Sequence, residues 1–210
     1  MLEKTEEKLL TLWILFLTFA SGYANIVAII SFVYPVSHVT GLTSQLALAM
    51  ATGDFTLLTF LAKGFILFFL GSTLSGILFH QRKFQLRRRY GGILFLGGII
   101  CFLLRNSGLL HYFLIFYMGL INGMFIYYNG VLVRTTHVTG YLTDAGFEFG
   151  SGLRRRGGHV WRIAFYLGSI LFFFLGGYVA TLLWDKASLF LGPLYLVLGV
   201  YYFLLRRRHT

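Results

Sequence analysis

Six apolar runs, separated by short polar or basic stretches, constrain this chain more than any other feature. They cover residues 9–33, 55–79, 91–104, 109–133, 161–184 and 189–205. A helix needs ~20 residues to cross a hydrocarbon core, a length that the first, second, fourth and fifth runs reach. Only 12% of the 210 residues are charged, against ~25% in a soluble domain. That is too little polar surface to cover a globule, so lipid is the solvent that suits most of the chain. The expected fold is an all-α integral membrane protein with about six transmembrane helices.

A net charge of +11 would suggest nucleic acid in a soluble protein. Here the Lys and Arg residues cluster between apolar runs, as the positive-inside rule requires, and no soluble domain remains to bind nucleic acid. Clusters follow the second, fourth and sixth runs, at Arg82, Lys83 and Arg87–Arg89, at Arg154–Arg156 and at Arg206–Arg208. With six crossings all three fall on one side, which places both termini in the cytoplasm. Glu3, Lys4, Glu6, Glu7 and Lys8 precede the first run without a cleavage site after it, so this run is expected to be a retained span. The lone Cys101 lies inside an apolar run and reads as a small core residue.

The chain repeats itself. Ser37-His38-Val39-Thr40-Gly41 returns as Thr136-His137-Val138-Thr139-Gly140, and Gly22-x-x-Asn25 in the first run returns as Gly119-x-x-Asn122 in the fourth. Ile66-Leu67-Phe68-Phe69 echoes Ile170-Leu171-Phe172-Phe173. The halves divide at residues 1–108 and 109–210. Each holds three crossings, an odd number, so the second half enters the membrane from the opposite face and the two form an inverted repeat.

Each half also carries a motif segment, 36–52 and 135–150. Tyr34-Pro35 stops the first helix, because proline disfavours helical geometry in the residue before it. The β-branched stretch Val36–Thr40 is expected to be extended, with Gly41 releasing the backbone. Thr43 and Ser44 are expected to cap a half-helix running to Thr52, and Thr143 and Asp144 stand in the matching place. Lipid tolerates such irregular backbone only where it is buried in protein or lines a watery cavity. Broken helices at corresponding places in inverted halves point to a transporter site.

The candidate site is therefore His38, Thr40, Gly41, Thr43, Ser44 and Gln45 with His137, Thr139, Gly140, Thr143 and Asp144, plus Asn25 and Asn122. Two helix N-termini aimed at a centre favour an anionic or strongly polar solute. The threonines add hydroxyls, and the histidines bind solute or carry a proton. Each motif also reads as a structural turn: a glycine at positive φ, a threonine cap and a histidine satisfied by a carbonyl. Asn25 and Asn122 read first as interhelical hydrogen-bond partners. Asp54 sits at a helix boundary, Glu148 and Lys63 are lesser candidates, and His80, His111 and His159 occupy loop or boundary positions. None of these has metal-ligand spacing. No nucleotide loop, nucleophile elbow or paired-cysteine motif is present, so neither an enzyme nor a cofactor is expected.

The series Gly22-Tyr23-Ala24-Asn25, Val36–Gly41 and Val133–Asp144 resembles the YoaK-like bacterial membrane proteins, a domain of unknown function, over nearly the whole chain. The resemblance implies an inner-membrane protein of about six helices. It also implies an aspartate at the place of Asn25 in many relatives, and this departure weakens a proton-coupling role there. In architecture alone, paired extended segments with half-helices resemble the sites of nucleobase and sulfate transporters, which have seven crossings per repeat. The expected function is a small secondary transporter or channel for an anionic or polar solute, working as a homodimer. The alternative is a non-transporting membrane scaffold whose motifs only terminate helices.

Overall fold

The computed structural model describes residues 4–80, 87–124, 129–155 and 159–207. Its elements are α1 (Lys4–Phe32), α2 (Val39–Thr52), α3 (Phe55–Leu78), α4 (Arg88–Leu104), α5 (Leu109–Met124), α6 (Val138–Arg155), α7 (Val160–Leu183) and α8 (Ala187–Arg207). A single 3-10 turn, Trp184–Lys186, joins α7 to α8. No strand is found among the described residues. Three stretches are long and apolar enough to cross a membrane, at 7–32, 55–78 and 160–207, and the third contains both α7 and α8. At 17 and 16 residues, α4 and α5 are shorter. Of the expected basic loop at 81–90, residues 81–86 fall outside the described residues, as do Arg156 and Arg208, and Arg88 already opens α4. The fourth run does not stay helical to residue 133: 125–128 fall outside the described residues, and 129–133 form a turn and irregular backbone, with Asn129 and Gly130 at positive φ.

The helices pair across the chain: α1 lies along α7 and α3 along α5, each pair running in the same direction, and α4 packs antiparallel on α8, with α2 resting on α3 and α6 on α7. The two central helices, α1 and α5, bury most of their side chains, including Trp13, Ile14, Leu17, Leu114, Tyr117 and Met118. By contrast α3 and α7 expose Phe65, Ile66, Phe69, Leu171, Phe174 and Leu182, the surface a helix offers to lipid.

One sequence element explains two of the crossings. Phe19-x-x-Gly22 of α1 meets Phe173-x-x-Gly176 of α7, and Phe116-x-x-Gly119 of α5 meets Phe68-x-x-Gly71 of α3. At each of the four glycines a Cβ would fall about 2 Å from the partner phenylalanine's carbonyl oxygen. Only glycine permits this approach, and in lipid such close packing supplies much of the association energy. The crossings also correct the repeat register. Phe68 and Gly71 occupy the places of Phe173 and Gly176, so Phe68-Phe69-Leu70-Gly71 matches Phe173-Phe174-Leu175-Gly176, one residue away from the Ile66–Phe69 and Ile170–Phe173 match.

The motif segments differ from expectation at their starts. Residues 33–38 form bends, not an extended strand, and α2 begins at Val39 inside the motif. Likewise α6 begins at Val138, so the likeness to the strand-bearing transporter sites does not hold. Because the helices start this early, the hydroxyls expected as caps lie inside them and turn back along their own helix. Thr43 donates to the Val39 carbonyl at 2.9 Å, Ser44 to Thr40 at 3.3 Å and Thr143 to Thr139 at 2.9 Å. Asp144 lies in the second turn of α6, where it caps nothing. At the far end of α2, Gly53 takes φ 72° and closes the helix onto the Ala49 and Met50 carbonyls. Asp54 then caps α3 by accepting the Leu57 amide at 2.9 Å, as a boundary residue should.

Candidate functional site

The two motifs face one cavity of about 670 Å³, lined by Ser37 to Gly41 from the first copy and by Thr136 to Thr139 from the second. Asn122, Gly123 and Arg134 complete the second half's share, and Phe68 and Ser72 of α3 close the wall. Phe68 and Ser72 had no sequence signal as site residues. They are there because the α3–α5 crossing, with Ser72 donating to the Gly119 carbonyl at 3.1 Å, sets α3 beside the second motif.

Each motif is held by the asparagine of the helix before it. The Asn25 carbonyl oxygen accepts from the Val36 amide at 3.2 Å and from the Ser37 hydroxyl at 2.9 Å. The Asn122 carbonyl oxygen accepts the Thr136 amide at 3.2 Å, and its NH₂ donates to the Thr136 hydroxyl. These are clamps on each asparagine's own chain rather than interhelical bonds. Asn25 is 3% exposed and sits behind the first motif, whereas Asn122 is half-buried and lines the cavity. A second tie crosses the halves: Ser21 of α1 donates to Thr135 at 2.9 Å, both buried.

Of the candidate residues, His38, Thr40, Gly41, His137, Thr139 and Asn122 line the central cavity. Thr43, Ser44, Gly140, Thr143 and Asp144 do not. Gln45 instead lines a smaller chamber of about 110 Å³ beneath the first motif, together with His38, Gly41 and His111. His111 does stand at a helix boundary, in the first turn of α5, but it is buried there: it is 2% exposed and lies against the rings of Phe32 and Phe60. A histidine two residues into an apolar run was the available signal.

The motif glycines are not turn glycines, since neither has positive φ. Gly41 faces open space, while a Cβ at Gly140 would strike the His137 ring. No side chain caps α2 at His38, so the first-turn amides of α2 reach the cavity without a side-chain acceptor. His137 lies outside the spanning helices. Burial of its ring lowers its pKa below the ordinary 6.5, Arg134 lowers it further, and Asp144 partly opposes both. Near neutral pH the second copy thus offers a neutral imidazole, and Arg134 a fixed cation. Arg134 is positioned by its backbone N–H, which donates to the Tyr141 hydroxyl at 3.0 Å. Among the described residues no group of His, Cys, Asp and Glu has the arrangement of a metal site.

The model of a protein family of unknown function, DUF1275, matches residues 13–205. The chain belongs to that family. This is the YoaK-like group indicated by the paired Gly-x-x-Asn and His-Val-Thr-Gly elements. No curated protein and no solved structure matches it. In this DUF1275 member the clamps and the cavity-lining residues described above all lie within the matched range.

Proposed function

We propose that this protein is a small secondary transporter or channel for an anionic or polar solute, with its site in the cavity between the two motifs. The observation that carries the reading is that both copies of the motif, 99 residues apart at His38 and His137, line one cavity. An apolar protein gains nothing in stability from a polar cavity among its helices, where unpaired polar groups are costly. Arg134 and the uncapped start of α2 supply the attraction for negative charge.

The reciprocal pairing of α1 with α7 and of α5 with α3 supports two inverted halves of three crossings each. A homodimer in a bacterial inner membrane, with both termini cytoplasmic, fits the few helices and the basic clusters. The protein moves its solute without altering it chemically.

The test is the thermal stability of the purified protein against a panel of small anions, cations and neutral metabolites. A ligand at ~100 times its dissociation constant stabilises by about 2.7 kcal/mol if it binds only the folded state. Shifts confined to anions or polar solutes, and abolished by Thr40→Val with Thr139→Val, are expected. A flat panel would favour a scaffold, for which the self-clamped asparagines are the supporting observation.

A further inference from the structure

The chamber beneath the first motif is unlike its counterpart in the second. It has room for several waters, since one water needs only ~10–15 Å³ of such space. The wall consists of Tyr34, His38, Gln45, Phe60 and His111 with apolar neighbours. His111 Nδ1 is buried and has no hydrogen-bond partner among the described residues, a state that costs free energy unless the site uses it. His38 lines both this chamber and the central cavity. Tyr34 and Phe60 in turn separate the chamber from an outer cleft of about 470 Å³ that contains Asp54.

We propose that this chamber is a proton site, in which His38 and His111 carry a proton between the central cavity and the Asp54 cleft. A proton from water in the central cavity occupies the His38 imidazole. Chamber water then passes it to the free Nδ1 of His111, leaving His38 neutral and His111 an imidazolium. Release past Tyr34 to cleft water restores His111. The groups facing His111 are few. From the α1–α2 connection they are Tyr34 and His38, and from α5 itself Tyr112. From α1 and α3 they are the apolar Phe32 and Phe60. Lys63 of α3 and Asp54, which caps that helix, do not line the chamber, and Arg105 at the end of α4 is turned onto the Phe102 ring and carbonyl. Protonation of His111 therefore meets no fixed charge in the chamber.

What the proton accompanies rests on the transport reading, but the site is tested without any solute. The experiment is side-chain ¹⁵N NMR of histidine-labelled full-length protein in lipid nanodiscs, followed over about pH 5 to 8, the range in which histidine titrates. His111, assigned by His111→Gln, is expected to titrate in the wild type. The titration should move in His38→Gln and be lost in Leu42→Tyr, which places in the chamber the residue that the second motif has at Tyr141. A His111 locked in one tautomer across the range overturns the proposal, as does a titration unchanged in both variants. A titrating His111 with a flat solute panel would keep the proton site and remove the solute site. Solute binding with a non-titrating His111 would do the reverse.

Discussion

The two motif regions have nearly the same sequence and do opposite things with the space beneath them. In the second, Tyr141 follows the motif glycine, and its ring fills the gap against Phe165 and Tyr166 at 6.3 and 5.8 Å between centroids. In the first, Leu42 stands at that place, Gly64 lines the wall, and a chamber with a buried histidine remains. The asparagine clamps differ in the same sense, one hidden behind its motif and one on the cavity wall. A repeat therefore duplicates a scaffold more faithfully than it duplicates a site, because the scaffold depends on backbone approach and the site on single side chains.

The scaffold half of that comparison is the easiest to break. Gly22→Ala and Gly119→Ala each drive a Cβ into a backbone carbonyl that has no rotamer to yield, so the helices must separate. Overpacking costs ~1–3 kcal/mol where side chains can adjust, and here the upper end or loss of folding is expected, equally in both halves. Thermal unfolding in detergent checks this, and an unequal response would show that the two crossings are not equivalent.

Tyr141→Leu comes next. It empties the filled gap and removes the acceptor of the Arg134 amide, with an expected loss of ~2–3 kcal/mol. Asn25→Ala and Asn122→Ala then separate the clamps. Loss of the buried Asn25 leaves an amide and a hydroxyl without partners at ~1–3 kcal/mol, whereas water in the cavity can replace Asn122 for under about 1 kcal/mol. Equal costs would mean that the cavity wall at Asn122 is dry, which would count against a solute path.

How much of this was legible in the sequence follows the same division. The apolar runs gave most helix boundaries to within a few residues, since hydropathy and length leave few alternatives in lipid. Asp54 was recognisable as a boundary residue because capping is local. The pairing of His38 with His137 was visible only because the motif is repeated. What was not legible depended on contacts between distant residues or on close local competition. Phe68 and Ser72 enter the wall through a crossing that no single-sequence pattern specifies. Thr43, Ser44 and Thr143 resembled caps, yet a hydroxyl four residues into a helix bonds to the preceding turn as readily. The one-residue slip in the Phe68 and Phe173 alignment arose because Phe172, Phe173 and Phe174 are indistinguishable until a glycine fixes which carbonyl it meets.

Smaller effects sharpen the comparison within the motifs. Gly41→Ala places its Cβ in open space on a helix and should stabilise by ~0.5–1 kcal/mol. Gly140→Ala should instead displace the His137 ring and forfeit that gain. Opposite signs for two glycines in the same motif would show that the second copy is built around its histidine.

The least in energy, but the most direct on electrostatics, is the pH response of His137. Its folded pKa lies below the ordinary 6.5 through burial first and Arg134 second. As pH falls past ~6.5 the unfolded chain takes up its proton before the folded one, so stability rises with pH in that window and is lost on acidification. The ring is exposed on one side, so solvent screening keeps the slope shallow. The difference between melting temperatures at pH 7.5 and 5.5 should shrink in His137→Gln. It should shrink by less in Arg134→Gln, which removes only the second cause and leaves the burial of the ring intact. If Arg134→Gln were as effective as His137→Gln, charge rather than burial would hold the imidazole neutral, and added salt would then flatten the wild-type slope as well.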